Sequence, residues 1–367
     1  MQNFKPLKAW SLYKFPLIAG TFAAYGLFLR YQCLSARSFW VDEVCQLQHT
    51  LGKFLPIWQR LSNGELTCFP GDYLITYPFV NMFSGNKWGM AIPHILATLL
   101  GYYFLYLICR RYLKNVFAFT IPFFLMTFNQ WLIYHSFELR PYAVLPTLAL
   151  GCFYFSGRIT QDYAQLELRK KIGIGLFFTF TVFYHAYGLL IAGSSLGFFV
   201  FARFNGKPVM ETLKKLRYFL FLLAVIVVPI FLWYASGNPD FTRQANISRG
   251  INTFDYIPNP INHLDQFYRT VMNALLGSKQ WGAKFLLFGL ALSLLIPHEN
   301  RIRQVGFLLI LIILPIELIL WADADRGYWF LQRQFVWAMP LFAFLIGWVW
   351  DSVILKLKSL TPVGFWL

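Results

Sequence analysis

Long apolar stretches recur along the whole chain, and short polar segments rich in lysine and arginine separate most of them. An apolar run of about 20 residues is the length that an α-helix needs to cross a bilayer. The pattern predicts an all-α polytopic membrane protein with about ten transmembrane helices. Their predicted ranges are 13–30, 90–109, 116–133, 142–155, 172–185, 187–201, 218–235, 284–297, 305–321 and 335–350.

Two long segments, 31–89 and 236–282, interrupt the apolar pattern and are predicted to be external loops. In the first loop, apolar residues recur at the spacing of an amphipathic helix lying on the membrane surface. These residues are Leu47, Leu51, Phe54, Leu55, Trp58 and Leu61. In the second loop, Asn259-Pro260 resembles a helix cap followed by a first-turn proline, and an apolar stripe follows. We expect both helices either to pack at the interface or to cover an external site.

Composition supports a membrane protein. Of the 367 residues, 57% are hydrophobic and 13% are charged, roughly half the charged fraction of a soluble domain. The net charge of +16 would indicate a nucleic-acid partner in a soluble protein. Here lysine and arginine are densest in the short loops, where they set topology. We therefore expect no nucleic acid as a partner, both chain ends in the cytoplasm and the two long loops outside.

The organisation predicted for residues 1–367 is a single transmembrane domain, because no linker composition and no internal repeat divides the chain. The first apolar stretch has basic residues before it but no clear small-residue cleavage site, so it is predicted to be a retained span. Three of the five cysteines, Cys33, Cys45 and Cys68, fall in the first long loop. Their position allows one disulfide; the alternative is that they are small buried apolar residues.

Residues suited to chemistry fall on one predicted face of the membrane. They are Asp42 and Glu43 after the first span, Glu138 and Arg140 after the third, His185 after the fifth, and Arg326 and Arg333 before the tenth. A carboxylate next to an acceptor hydroxyl or amine can act as a general base. Arginine side chains can neutralise a departing phosphate.

Each candidate also has a purely structural interpretation. Glu43 could cap a helix, and Arg140 could extend its side chain from the interface towards water. His185 could be a packed histidine, and Arg326 and Arg333 could be external charge anchors. No phosphate-binding glycine loop of the P-loop or Rossmann type is present, so a phosphate-bearing substrate is expected to be a lipid rather than a soluble nucleotide.

Five motifs, taken in order, resemble the GT-C superfamily of integral membrane glycosyltransferases. Within it, they are most similar to bacterial relatives of protein mannosyltransferases and lipid A aminoarabinose transferases. The motifs are Phe39-Trp40-Val41-Asp42-Glu43, Cys68-Phe69-Pro70-Gly71-Asp72-Tyr73-Leu74, Glu138-Leu139-Arg140-Pro141-Tyr142, Tyr184-His185-Ala186-Tyr187-Gly188, and the arginine and proline that bound residues 333–340. The second motif departs from the family, which has a histidine and two prolines there, so a role carried by that histidine does not transfer.

The resemblance implies inverting transfer of a sugar from a polyprenyl-phosphate donor. It makes Asp42 the catalytic residue, with Glu43 beside it, and Glu138 a second acid near the acceptor. Arg140, Arg326 and Arg333 become candidates for the lipid phosphate, and Tyr142 and His185 further substrate-binding positions. Some relatives hold a divalent metal ion near the site, and His185 with a nearby acid is the candidate here; the metal requirement stays open.

The sequence thus predicts an enzyme of the bacterial inner membrane whose active site faces the periplasm. Its expected partners are a polyprenyl-phosphate sugar, membrane lipids, and a glycan, lipid or protein acceptor. Two alternatives remain: a polytopic lipid or sugar transporter or flippase, and a non-catalytic subunit of an envelope glycan assembly complex. A transporter would favour charges at the bilayer midplane and repeated halves, whereas the acids here collect at one rim.

Overall fold

A computed structural model shows that the described part of the chain is almost wholly helical, with α-, 3₁₀- and π-helical segments and no β-strand. It describes residues 7–39, 41–62, 70–162, 165–185, 187–202, 217, 220–221, 224–229, 298–319 and 332–360. The second long loop, residues 236–282, and its expected helix lie outside the described residues. An all-α fold is therefore confirmed for the part that the structure describes.

The helices follow one another with short connections. We label them α1 (Leu7–Ala36), α2 (Val41–Thr50), α3 (Phe54–Ser62), α4 (Pro70–Met82), α5 (Lys87–Tyr112), α6 (Val116–Phe128), α7 (Gln130–Tyr134), α8 (Leu145–Asp162), α9 (Leu168–Tyr184), α10 (Tyr187–Ala202), α11 (His298–Phe307) and α12 (Met339–Leu360). Short 3₁₀ segments occupy His135–Phe137, Pro141–Ala143 and Gln332–Ala338, and a π-helical segment, Leu308–Ile313, follows α11.

Three helices among the described residues are long and apolar enough to cross a membrane: Lys87–Tyr112, Arg301–Ile319 and Phe335–Ser359. A fourth candidate is a pair, Val116–Phe128 and Gln130–Phe137, bent by 52° at its break. These lengths and compositions identify a membrane protein.

A cluster of phenylalanine rings runs through the bundle core. Phe153 of α8 lies at its centre, with ring centroids 5.0 Å from Phe199, 5.2 Å from Phe307 and 5.7 Å from Phe344. The rings therefore join α8, α10, α11 and α12. Close helix approach is achieved with glycine: a Cβ added to Gly347 of α12 would lie 2.8 Å from the Ala118 carbonyl oxygen of α6. Small residues at crossings are the usual way for membrane helices to pack tightly.

Polar contacts join neighbouring segments at both ends of the bundle, and they differ in kind. At the lower end, Asp351 of α12 accepts hydrogen bonds from the backbone N–H groups of Lys114 (3.0 Å) and Asn115 (2.7 Å), which form the α5–α6 turn. At the upper end, Lys87 of α5 donates to the carbonyl oxygens of Leu34 (2.9 Å) and Arg37 (3.2 Å). A lysine is well placed there because the carbonyls at a helix C-terminus carry partial negative charge.

The first predicted loop differs from the expectation. Helix α1 continues to Ala36, and residues 41–82 contain three further helices in their described part. The single amphipathic helix expected over 47–61 is wrong: Gly52 adopts φ +113°, a conformation that breaks a right-handed helix and suits glycine. Helix α2 therefore ends at Thr50 and α3 begins separately at Phe54, a break that periodicity alone does not reveal.

The third predicted span is also interrupted, because Asn129 ends α6 and begins α7. Its side chain accepts the backbone N–H of Leu132 at 3.0 Å, which is an N-terminal cap. The disulfide that the sequence allows is not formed between Cys33 and Cys45, which are both free, and Cys45 is exposed rather than buried; Cys68 lies outside the described residues.

Gly71 provides a test of the packing between α4 and α9. A Cβ at this position would lie 2.5 Å from the Cα of Tyr184, a backbone atom that cannot rotate away. We expect Gly71→Ala to lower the free energy of unfolding by about 1–3 kcal/mol, as overpacking does. Gly173→Ala is the matched control, because nothing lies within 4 Å of its added Cβ. Thermal unfolding in detergent measures both; equal midpoints would contradict this packing.

Candidate functional site

An ion cluster at the upper end of the bundle joins three segments that are distant in sequence. Asp42, in the first turn of α2, accepts hydrogen bonds on Oδ2 from Arg140 Nη2 (2.9 Å) and from Arg333 Nη2 (2.9 Å). Arg333 Nη1 also lies 3.5 Å from Glu138 Oε1. We call these four residues the site cluster. The structure thus brings together four of the residues that the sequence singled out.

The members of the site cluster differ in their access to solvent. The Asp42 side chain is 33% exposed, whereas Glu138 is fully buried and Arg333 is 10% exposed. Partial burial raises the pKa of Asp42, but the charges and hydrogen bonds of Arg140 and Arg333 outweigh it and bring that pKa below its usual value. Asp42 is therefore an accessible carboxylate that is ionised at neutral pH.

Local backbone geometry sets the positions of Glu138 and Arg140. The chain leaves α7 through the 3₁₀ turn His135–Phe137, and Arg140 has an extended backbone just before Pro141. Proline disfavours a helical conformation in the residue before it. The segment between α7 and α8 therefore crosses the upper end of the bundle without forming a continuous helix. It brings the buried Glu138 carboxylate and the partly exposed Arg140 guanidinium into the site cluster.

Tyr142 and His185 extend the site cluster on one side. The Arg333 guanidinium lies over the Tyr142 ring, 5.5 Å from its centroid, a stabilising cation–π geometry. The Tyr142 ring is in turn 6.2 Å from that of His185. His185 Nδ1 accepts the backbone N–H of Tyr187 at 3.1 Å, so this nitrogen is occupied at the start of α10. That contact favours a capping role for His185.

Glu43 points away from Asp42 although the two are neighbours in sequence. It is fully buried and pairs with Arg37 through Oε1. The same oxygen accepts the backbone N–H of Leu139 at 3.0 Å, between Glu138 and Arg140. Glu43 therefore joins the end of α1 and the start of α2 to the segment that carries the site cluster. This contact set favours a positioning role over direct chemistry.

A second buried acid, Asp72 of α4, lies outside the site cluster. Tyr184 donates its hydroxyl to Oδ1 at 2.7 Å, and Gln46 donates its amide to Oδ2. Burial raises the Asp72 pKa, and the two hydrogen bonds only partly offset that effect. The three side chains tie α2, α4 and α9 together beneath the site.

Sequence reasoning missed several of these residues. His135 is buried, and its Nδ1 contacts Glu138 Oε2; the spacing of three residues was a readable signal, because such pairs meet in a helical turn. Asp72 lies in a motif that was recognised without assigning it a role. Of the partners of the buried acids, Arg37 and Gln46 gave no sequence signal, whereas Tyr184 lies in the fourth motif without an assigned role. Arg326, a predicted phosphate ligand, lies outside the described residues.

Side chains of the types that bind metal ions are scattered around the site cluster. Among the described residues, no group of three or more histidine, cysteine, aspartate or glutamate side chains is arranged to hold a metal ion. His185, the suggested ligand, instead neighbours Tyr142 and Tyr187, whose ring centroid is 4.5 Å from its own.

The burial of Glu43 makes a stability prediction. We expect Glu43→Leu to lower the free energy of unfolding by about 3–5 kcal/mol, because it leaves Arg37 without its carboxylate partner in a mostly buried position. The double variant Arg37→Met, Glu43→Leu should recover part of that loss. Denaturant unfolding in detergent measures both. The exposed Glu167, paired with Arg169 and Lys170, supplies the control Glu167→Leu; an equal loss there would refute a special role for Glu43.

Comparisons with models of known families, with curated proteins and with solved structures found no match for this chain. The resemblance to GT-C glycosyltransferases therefore stays a prediction that rests on the five motifs. Three of those motifs supply the site cluster, since Asp42, the pair Glu138 and Arg140, and Arg333 come from separate ones. The candidate site is accordingly defined by its own geometry: an accessible carboxylate held by two arginines at one end of a helical membrane bundle.

Proposed function

We propose that this protein is a GT-C-type glycosyltransferase that moves one sugar, with inversion, from a polyprenyl-phosphate carrier to an acceptor at the external face of a bacterial inner membrane. The observation that carries the proposal is the double contact of Arg140 and Arg333 with Asp42. It provides a carboxylate for an acceptor proton and two guanidinium groups for a phosphate in the same place.

The proposed reaction requires a negative charge beside the acceptor and positive charge beside the carrier phosphate. The acceptor must lose a proton, which an ionised and accessible carboxylate such as Asp42 can take. The carrier phosphate gains negative charge as the bond to the sugar breaks, and arginine matches phosphate oxygens with its planar fork of donors. Such fixed positive charge stabilises the transition state where charge develops.

The remaining predicted site residues have supporting roles in this proposal. Glu138 and Tyr142 hold the Arg333 guanidinium from two sides, and His135 holds Glu138 in turn. Glu43, which the sequence paired with Asp42 as catalytic, fixes the backbone at Leu139. Asp42 is thus the proposed catalytic residue, and Glu43 is a positioning residue.

The proposed membrane arrangement has ten spans in a single domain, with the upper end outside. Eight of the ten predicted spans correspond to helices in the described part of the chain: α1, α5, α6 with α7, α8, α9, α10, α11 with the π-helical segment, and α12. Helices α9 and α10 have 17 and 16 residues, slightly below the usual length for a full crossing. The site cluster lies at the ends of these helices, as expected of an interfacial enzyme rather than of a midplane transport site.

The central prediction concerns Asp42→Asn. This change keeps the size of a partly exposed side chain but removes its capacity to take a proton, so we expect sugar transfer to fall by about 10²–10⁴-fold with folding retained. Mass spectrometry of polyprenyl-phosphate lipids from cells measures the effect, since the glycosylated carrier should accumulate. The mass of that carrier would also identify the class of sugar.

Glu167→Gln is the matched control, because Glu167 is also ion-paired but exposed at the opposite end of α9. Its lipid profile should equal that of the unmodified protein. An unchanged carrier pool in cells that contain folded Asp42→Asn protein would reject the transferase proposal. The transporter or the non-catalytic subunit would then be the better interpretation.

The orientation of the membrane domain has its own test. Cys45 is exposed on α2, beside the proposed external site, whereas Cys109 is buried at the other end of α5. A membrane-impermeant maleimide added to intact spheroplasts should label the protein, and Cys45→Ser should reduce that labelling. If reduction by Cys45→Ser appears only after the membrane is permeabilised, the proposed orientation is inverted.

A further inference from the structure

The two arginines of the site cluster converge on a single oxygen of Asp42. Arg140 Nη2 and Arg333 Nη2 each lie 2.9 Å from Oδ2. Within the described part of the chain, Oδ1 makes no hydrogen bond to either of them or to another group. The carboxylate is thus held at one oxygen, while the other is left for a further partner. This geometry resembles an anion site occupied by a carboxylate of the protein itself.

The arginines are more firmly held than the carboxylate between them. Arg333 has Glu138 and the Tyr142 ring as additional contacts, and its side chain is 10% exposed. The Arg140 side chain is 18% exposed and follows an extended backbone before Pro141. Asp42 is 33% exposed and belongs to the first turn of α2, next to the non-helical residues 37–39. If a contact yields, Asp42 is therefore the group that moves.

The two arginines that hold Asp42 also make it a weaker base. Of the charged groups that face it, Arg140 comes from the segment before α8 and Arg333 from the 3₁₀ segment before α12, with Glu138 behind Arg333. Their contacts bring the Asp42 pKa below its usual value despite partial burial. Without the arginines, burial alone would act on this carboxyl and raise its pKa. Basicity at Asp42 therefore depends on where the two guanidinium groups direct their hydrogen bonds.

We propose that the phosphate of the carrier lipid displaces Asp42 from Arg140 and Arg333, and that this exchange turns Asp42 into the proton acceptor of the reaction. This inference rests on the proposed function and adds an order to it. The phosphodiester must bind first, because the acceptor meets an effective base only after the exchange. A lone acceptor would meet a carboxylate that is still clamped and weakly basic.

The exchange balances the chemistry of transfer. The acceptor O–H or N–H bond breaks and its proton goes to Asp42 Oδ1 or Oδ2, while the acceptor atom forms the new bond to the anomeric carbon. The bond from that carbon to the phosphate oxygen breaks, and its electron pair stays on the phosphate. The phosphate thus gains one negative charge as Asp42 loses one, so the net charge beside the two arginines is unchanged.

The test uses a probe that does not itself titrate. A farnesyl methyl phosphodiester keeps one negative charge from pH 5 to 8 and carries no sugar, so only binding is observed. Isothermal titration of the purified full-length protein at pH 5.5, in two amine-sulfonate or amine buffers of different ionisation enthalpy, reports protons taken up on binding. We expect uptake of a fraction of a proton. The dissociation constant should therefore rise as pH rises, by up to about tenfold per pH unit, the limit for one linked proton.

Asp42→Asn should abolish that uptake and bind the probe more tightly at pH 7, because it removes a competing charge. Glu167→Gln should behave as the unmodified protein, which controls for a distant ion-paired carboxylate. The unmodified protein, Asp42→Asn and Glu167→Gln contain the same histidines. A difference in proton uptake between the unmodified protein and Asp42→Asn is therefore due to Asp42. Arg140→Gln and Arg333→Gln should each weaken probe binding.

The possible negative results distinguish the exchange at Asp42 from the transferase proposal. Equal proton uptake by the unmodified protein and Asp42→Asn would overturn the exchange while leaving Asp42 as a residue required for transfer. Full probe binding by both arginine variants would also overturn it, since the arginines would not form the anion site. If no protein binds the probe and Asp42→Asn leaves the carrier pool unchanged in cells, both the exchange and the transferase proposal fail.

Discussion

Arg333 is the residue on which the upper end of the molecule depends. Its guanidinium contacts Asp42 from α2, Glu138 from the segment before α8, and the Tyr142 ring. A buried charge without partners would cost several kcal/mol, so each of these groups needs the others in place. The late 3₁₀ segment, the crossing segment and the first short helix are thereby held in one arrangement. The accessible carboxylate of Asp42 is the part of that arrangement that remains open to solvent.

Two buried acids support this arrangement from below. Glu43 fixes the backbone at Leu139, within the segment that carries Glu138 and Arg140. Asp72 joins α4 to α2 and α9 through Gln46 and Tyr184. In each case a fully buried carboxylate receives donors from other segments, which is how buried polar groups are normally satisfied. The site is therefore held by buried contacts underneath and accessible on top, as the proposed transfer between two substrates would require.

Periodicity and charge predicted the helical membrane class and that Asp42, Glu138, Arg140 and Arg333 meet at one end of the helices. They failed at breaks that depend on one residue. Gly52 adopts a positive φ and Asn129 caps a new helix inside an apolar run; both are compatible with a continuous helix when only hydrophobic spacing is read. The sequence left open whether Cys33 and Cys45 form a disulfide, and both are free; membership of one loop says nothing about the distance between two sulfur atoms.

The sequence by itself determined the chemical inventory of this protein: apolar helices for a bilayer, and acids and arginines placed at one end of them. This follows because span length and charge placement are constrained by the membrane locally, residue by residue. Only the tertiary structure decided that Asp42 faces solvent between two arginines while the adjacent Glu43 is buried. Neighbouring residues on a helix point about 100° apart, so which one meets the cluster depends on how α2 packs against segments nearly a hundred and three hundred residues away.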